Sequence, residues 1–147
     1  MHKFLLTTSK PIMRHKWLYY LLNFTWGLPM TLVGLIALLF LLPMHPKRFC
    51  NCICVRTKGS WGGLSLGIVA IRDTISTELI TCHEYGHTFQ NAIFGPFMPF
   101  VVTIPSAIRY WHRYFKYERK GIMPVTDYDA IWFEGTATEL GFIAAKK

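Results

Sequence analysis

One uncharged apolar run constrains the fold of this chain more than any other feature. Residues 17–42 read WLYYLLNFTWGLPMTLVGLIALLFLL and contain no Asp, Glu, Lys or Arg. A helix of about 20 apolar residues crosses the hydrocarbon core of a bilayer, so this run is long enough with some tilt. The apolar core of a signal peptide is shorter, about 7–15 residues, and ends at a small-residue cleavage site. The run therefore predicts a transmembrane helix over residues 17–42, kinked at Pro29, and an integral membrane localisation.

The composition and the charge agree with a membrane protein. Hydrophobic residues make up 52% of the chain and charged residues only 16%, whereas soluble domains carry about 25% charged residues. The net charge is +8, and the basic residues bracket the apolar run. No nucleic-acid-binding motif accompanies them, so we expect a lipid bilayer with anionic headgroups, and no nucleic acid, as their partner. The orientation stays open, because Lys and Arg are nearly balanced on the two sides of the run.

The rest of the chain predicts one core after the apolar run. A length of 147 residues suits a single domain, in which residues 64–147 form the core. Residues 43–63 hold prolines and glycines and predict mostly loop. Residues 64–71, LSLGIVAI, are apolar and β-branched and predict a short strand. Residues 92–108 are apolar but interrupted by prolines, so they could cross the bilayer, re-enter it or lie at its surface.

Two further helices are predicted in this core. Asp73 resembles an N-cap, and residues 74–94 predict a helix that Gly95 and Pro96 end. Residues 127–144 predict the last helix, which a capping-box-like sequence opens. The expected fold class is a mainly α membrane protein with one or two transmembrane helices, these two helices and a short β-strand segment.

The cysteines give no framework for the fold. Cys50, Cys52 and Cys54 form a C-x-C-x-C run, which lacks the C-x-x-C spacing of a zinc knuckle. Such residues would share one face of a strand, and cysteines close to a membrane can carry lipid. Ordinary small residues near a membrane surface explain them as well, so their role stays open.

The stretch HEYGH, residues 83–87, concentrates the chemistry of the chain. His83 and His87 are four residues apart in a predicted helix, so both imidazoles lie on one face and can reach one Zn²⁺ at about 2.0–2.1 Å. Glu84 is rotated by about 100° from His83 and borders the metal without binding it. It can accept the proton of a zinc-bound water, whose pKa the metal lowers. Two histidines without a metal are the alternative, which this spacing disfavours.

A catalytic zinc needs a third protein ligand and one open position. The extended motif H-E-x-x-H-x-x-G-x-x-H is excluded, because Gln90 and Ile93 occupy its glycine and histidine positions. Among the later acids, Glu118 lies in a basic segment typical of a solvated surface. Glu134 and Glu139 both fall in the last predicted helix and point to different faces of it. The residues alone leave both of them open.

The pairing of HEYGH with the later FEGTAT resembles the gluzincin class of zinc metallopeptidases. The likeness is closest to its small membrane-embedded branch, whose larger relatives are the prenyl-protein (CAAX) and heat-shock membrane endopeptidases. In that branch the first Glu of an E-x-x-A-D-like element is the third ligand, so the resemblance implies Glu134. Thr138 stands where the family has an Asp that supports a ligand histidine. Thr138, Asp127 or Asp129 could supply this support.

The resemblance also implies a function. It implies a membrane-bound zinc metallopeptidase, a hydrolase of peptide bonds, in which His83, His87 and Glu134 hold zinc and Glu84 is the general base. Two alternatives stay open: a catalytically inactive zinc-binding membrane scaffold, and a zinc hydrolase of a non-peptide substrate.

The substrate expected from this resemblance is a peptide or protein. Such peptidases resemble one another in holding the substrate along a strand edge, here residues 64–71, although the same segment could be a core strand. A hydrogen-bond donor to the oxyanion would be Tyr128 or His112, and the residues do not choose between them.

Overall fold

The computed structural model describes residues 1–146 and is mainly helical with one small sheet. The helices are α1 (His2–Arg14), α2 (Lys16–Phe24), α3 (Leu28–Leu41), α4 (Glu78–Phe94), α5 (Ile104–Lys116) and α6 (Trp132–Ala145). The strands are β1 (Lys47–Phe49), β2 (Cys52–Thr57), β3 (Gly63–Leu66) and β4 (Val69–Asp73). The prediction of a mainly α chain with a short β segment is confirmed, and its membrane part stays a prediction.

The apolar run forms two helices instead of one. The chain bends by 89° between α2 and α3, so the prediction of one continuous helix over residues 17–42 is wrong, whereas its membrane location stays a prediction. Pro29 lies in the first turn of α3, where its missing N–H costs no hydrogen bond, and it starts a helix here instead of kinking one. Among the residues described, no one helix has the length and apolar character to cross a membrane. Two bent helix pairs reach both criteria when each pair is taken together.

A buried polar network holds this bend. The side-chain amide of Asn91 in α4 donates to Oδ1 of Asn23 at 2.8 Å and to the carbonyl of Gly27 at 3.1 Å. A Cβ on Gly27 would lie 2.5 Å from the same amide nitrogen, so only glycine lets Asn91 approach. A buried amide without a partner costs about 1–3 kcal/mol. The bend therefore lets the buried Asn23 and the backbone of Gly27 both accept hydrogen bonds from Asn91.

The sheet is larger than the predicted strand. Its strand order is β1-β2-β4-β3, in which β2 runs parallel to β4 and the two outer strands are antiparallel to their neighbours. Residues 43–63, predicted as loop, contain β1 and β2. Residues 64–71, predicted as one strand, form most of a hairpin that turns at Gly67, whose φ is +60°. β2 and β4 are neighbours in the sheet, although β3 lies between them in the sequence. A local sequence pattern does not predict such a non-local pairing.

Asp73 is the last residue of β4, so its prediction as a helix N-cap is wrong. Its carboxylate accepts hydrogen bonds from the backbone amides of Trp61 and Gly62 at 2.7 and 2.8 Å. The helix begins at Glu78, after Thr77 as N-cap, and ends at Phe94 as predicted.

The last helix starts later than predicted. A single 3₁₀ turn (Tyr128–Ala130) precedes α6, which therefore begins at Trp132 instead of residue 127. α6 packs directly on α4, because Gly86 and Gly141 have no side chain there. A Cβ on either glycine would clash with a backbone carbonyl of the other helix. This close approach brings the first turn of α6 beside the motif helix.

Candidate metal centre

Three buried side chains meet between α4 and α6. His83 and His87 come from α4, and Glu134 comes from the first turn of α6. The Nε2 atoms of His83 and His87 lie 3.0 and 3.3 Å from Oε2 of Glu134. The two Nε2 atoms are 3.2 Å apart. The three atoms form a nearly equilateral triangle, and this group could hold a metal ion.

Gln90 determines the tautomer of His87. The side-chain nitrogen of Gln90 donates to the carbonyl of Phe133 at 2.7 Å, so its oxygen is the atom that faces His87. That oxygen lies 2.7 Å from Nδ1 of His87 and accepts a hydrogen bond from it. Nδ1 therefore carries the proton, and the lone pair on Nε2 of the neutral ring points to Glu134. Gln90 was not predicted, although its spacing of three residues from His87 on one helical face was a signal for this contact.

Thr138 and Asp129 determine the tautomer of His83 in the same way. The hydroxyl of Thr138 donates to Oδ2 of Asp129 at 2.9 Å. The same hydroxyl oxygen lies 2.7 Å from Nδ1 of His83 and accepts its N–H. Of the three residues expected to replace the missing acid, Thr138 touches the histidine and Asp129 acts through Thr138. Asp127 instead offers its backbone carbonyl to Arg109 at 2.8 Å.

The electrostatics of the triangle favour a cation. Two imidazole lone pairs and a carboxylate oxygen face one another, and the side chain of Glu134 is fully buried. Within residues 1–146, neither carboxylate oxygen of Glu134 accepts a conventional hydrogen bond. Burial alone would raise the pKa of this carboxyl, but without a metal the hydrogen bonds from His83 and His87 in their protonated form outweigh burial and lower it. A cation bound to the neutral imidazoles would act on the carboxylate in the same direction. A buried ionised carboxylate is costly unless a positive charge compensates it, so the donor set fits a metal ion.

Glu84 lies beside the triangle and outside it. Its side chain is buried, and burial raises the pKa of its carboxyl, although His83 and His87 partly oppose this shift. A Cβ on Gly63 would overlap the Glu84 carboxylate, so β3 approaches this group closely only because residue 63 is glycine. A carboxylate with a raised pKa, next to a candidate metal site and a strand edge, is suited to accept a proton.

β3 presents a free edge next to Glu84. It is one of the two outer strands of the sheet, and among residues 1–146 it pairs with β4 alone. The amide of Asp73 donates to the carbonyl of Gly62 at 3.0 Å, which sets the register of the hairpin. In this register the backbone N–H and C=O groups of Gly63 and Ser65 point away from β4. These groups can pair with an extended peptide.

Of the two expected oxyanion donors, Tyr128 is the one near the ligands. Its ring centre lies 6.3 Å from that of His83, and its hydroxyl lies 3.3 Å from the hydroxyl of Ser106. The guanidinium groups of Arg109 and Arg113 lie 5.6 and 5.5 Å from the centre of the Tyr128 ring. His112 is an exposed residue of α5. The arginine pair was not predicted, because its contact with Tyr128 depends on how a later loop folds back.

The remaining candidates lie away from the ligand triangle. Glu139 is 2.9 Å from Nε2 of His2, and both side chains are about half exposed. Glu118 lies in an exposed 3₁₀ turn. Within the described part of the chain all four cysteines are free, and Cys52 and Cys54 are buried on one face of β2.

Comparison of the chain with protein-family models, with curated proteins and with solved structures found no match.

Proposed function

We propose that this protein is a membrane-bound zinc metallopeptidase with Zn²⁺ held by His83, His87 and Glu134. The ligand triangle carries the proposal. Three ligand atoms at about 2.0–2.1 Å from a tetrahedral zinc lie about 3.3–3.4 Å apart, and the separations here are 3.0, 3.3 and 3.2 Å. Two imidazoles and one carboxylate leave a fourth position for water, which is the ligand set of a catalytic zinc.

Glu84 is the proposed general base. Zinc bound at this site would supply Lewis acidity and a water of lowered pKa. With zinc bound, the Glu84 carboxylate would take a proton from the attacking water and would later deliver it to the leaving amine. Its raised pKa suits both steps, because the group must hold a proton between them. The hydroxyl of Tyr128 is the proposed donor to the oxyanion, since Tyr128 lies beside His83.

The proposed substrate is an extended peptide that adds to β3 as a further strand. The free N–H and C=O groups of Gly63 and Ser65 would pair with its backbone. A peptide bond of such a substrate would lie beside Glu84, because Gly63 closely approaches that carboxylate.

The membrane attachment is proposed from α2 and α3. α3 carries a broad exposed apolar surface (Leu32, Val33, Ile36, Leu39 and Phe40). Soluble monomers rarely expose a contiguous apolar patch larger than a few hundred Å². We place this bent pair in the bilayer, with the buried polar network of Asn91 closing its inner side.

Three variants of the purified protein test this function. Wild type and Glu84→Gln should contain about one zinc per chain, and His83→Ala should contain far less. Of these three proteins, only wild type should cleave a peptide library. Glu139→Gln is the matched control, because this half-buried carboxylate lies outside the triangle, and the variant should keep both zinc and activity.

Other outcomes assign the alternatives. Wild type without zinc contradicts the metal centre itself. Zinc in wild type, with a cellular activity that Glu84→Gln leaves intact, indicates the scaffold. Hydrolysis of esters that depends on Glu84, with all peptides left intact, indicates a non-peptide substrate.

A further inference from the structure

The polar face of α5 is turned toward the protein. Arg109 donates to the carbonyl of Tyr128 at 3.0 Å, and Arg113 donates to the carbonyl of Thr126 at 2.6 Å. Both guanidinium groups also lie over the Tyr128 ring. The two arginines thus hold the loop of residues 126–130, which carries Tyr128 and Asp129 of the metal centre.

The apolar face of α5 is turned outward. Ile104, Ile108, Trp111 and Phe115 follow the i, i+4, i+7, i+11 spacing of one helical stripe, and they are 48%, 63%, 54% and 51% exposed. In a soluble domain an amphipathic helix turns such a stripe to the core and its charges to solvent. The reversed orientation of α5 means that its apolar stripe needs a partner outside the described chain.

This stripe belongs to a larger apolar surface. Phe97 and Phe100, just before α5, are also exposed. The ring of Phe97 lies 6.3 Å from that of Trp26, at the bend that leads into α3. The exposed surfaces of α3 and α5 are therefore linked, and one apolar medium could cover both.

The charge around α5 indicates which partner covers this apolar surface. Within residues 104–121 the single acid is Glu118. Arg109 and Arg113 face the protein, and the cations that remain exposed are Lys116, Arg119 and Lys120. Tyr110, Trp111 and Tyr114 lie among them, and such aromatic side chains favour the headgroup region of a bilayer. A second copy of the chain is disfavoured, because it would bring one net charge of +8 against another. An anionic lipid surface complements both the apolar stripe and the cations.

We propose that α5 docks on an anionic lipid bilayer, with the stripe Ile104, Ile108, Trp111 and Phe115 inserted among the headgroups. The arginine face then lies on the protein side and holds the loop of residues 126–130. The metal centre is thereby placed at the bilayer surface, where it would take peptide segments that emerge from the membrane. Only this last consequence rests on the proposed peptidase function.

Quenching of Trp111 fluorescence tests the docking in the full chain. Wild type and Trp111→Phe are reconstituted in phosphatidylcholine vesicles with about 30% phosphatidylglycerol, with and without brominated phosphatidylcholine. The difference between the two proteins isolates the signal of Trp111. Trp61→Phe is the matched control, because Trp61 lies before β3 and donates to Thr57 at 3.0 Å. We expect bromolipid to quench Trp111 at least about threefold more than Trp61, since an interfacial helix buries its apolar face about 5–10 Å deep.

The same measurement in Glu84→Gln separates docking from catalysis. Unchanged quenching in this variant supports the docking whether or not wild type cleaves peptides. Quenching of Trp111 by aqueous iodide, with no effect of bromolipid, would overturn the docking. It would also be overturned if light scattering in lipid-free detergent showed a dimer in which Trp111 is already shielded, because a second copy would then cover the stripe.

Discussion

Replacing Thr138 with valine should weaken zinc binding by about 10- to 100-fold. Valine keeps the shape of threonine and removes only the hydroxyl that joins His83 to Asp129. The hydroxyl accepts from Nδ1 of His83 at 2.7 Å and donates to Asp129 at 2.9 Å. Without it, the N–H of His83 loses its acceptor and the ring loses the contact that keeps its Nε2 lone pair on the metal side.

The magnitude follows from these contacts. A buried donor left without a partner costs about 1–3 kcal/mol, and each 1.4 kcal/mol is about tenfold in affinity. This corresponds to about 5- to 150-fold, which brackets the range found when the supporting partner of a metal-bound histidine is removed. Asp129 is exposed and acts through Thr138, so Asp129→Asn alone should cost less than Thr138→Val.

Zinc competition with a chromophoric chelator at constant pH measures this effect. Thr138→Ser is the matched control, because it keeps the hydroxyl and should bind zinc as wild type does. In the double variant of Thr138→Val and Asp129→Asn the loss should equal that of Thr138→Val alone. Wild-type affinity in Thr138→Val, or an equal loss in Thr138→Ser, would refute the role of the hydroxyl.

Three further predictions concern stability, each measured by chemical denaturation. Gly86→Ala should lower the free energy of unfolding by about 1–3 kcal/mol, because its Cβ would clash with the carbonyl of Ala137; an unchanged midpoint would contradict this packing. Burial tends to raise the pKa of Asp73, but hydrogen bonds from backbone amides outweigh it and lower the pKa. Its stabilisation is therefore present above the unfolded pKa of about 3.9 and is lost as the pH falls below that value. Asp73→Asn should remove this slope, and a wild type with no such acid-induced loss would contradict it. Asn91→Leu should lower the free energy of unfolding by about 1–3 kcal/mol for each polar group that it leaves without a partner, among them Asn23. A stability equal to wild type would show that the bend needs no such network.

The spacing of HEYGH was sufficient to predict the relation among its own residues. Any α-helix over this stretch brings His83 and His87 to one face and turns Glu84 away from both, because 3.6 residues per turn determine these directions. The apolar run was likewise sufficient to predict helix. These features depend on residues within a few turns of one another, so the sequence alone contains them.

The choice between Glu134 and Glu139 needed the tertiary structure. Both carboxylates belong to α6, and only the glycine-mediated packing of α6 on α4 turns the first toward the histidines and the second toward His2. The support of His83 by Thr138 and Asp129 also depends on this packing.

The same reason explains the two largest errors in the fold. The break in the apolar run depends on Asn91, which is 68 positions from Asn23 in the chain. The sheet depends on the direct pairing of β2 with β4, which β3 separates in the sequence. Helical periodicity is decided by neighbours in sequence, whereas a bend, a strand partner or a third ligand is decided by which distant surfaces bury each other's polar and apolar groups. The sequence by itself therefore determined the directions of the motif side chains, and only the packing of the folded chain decided what they face.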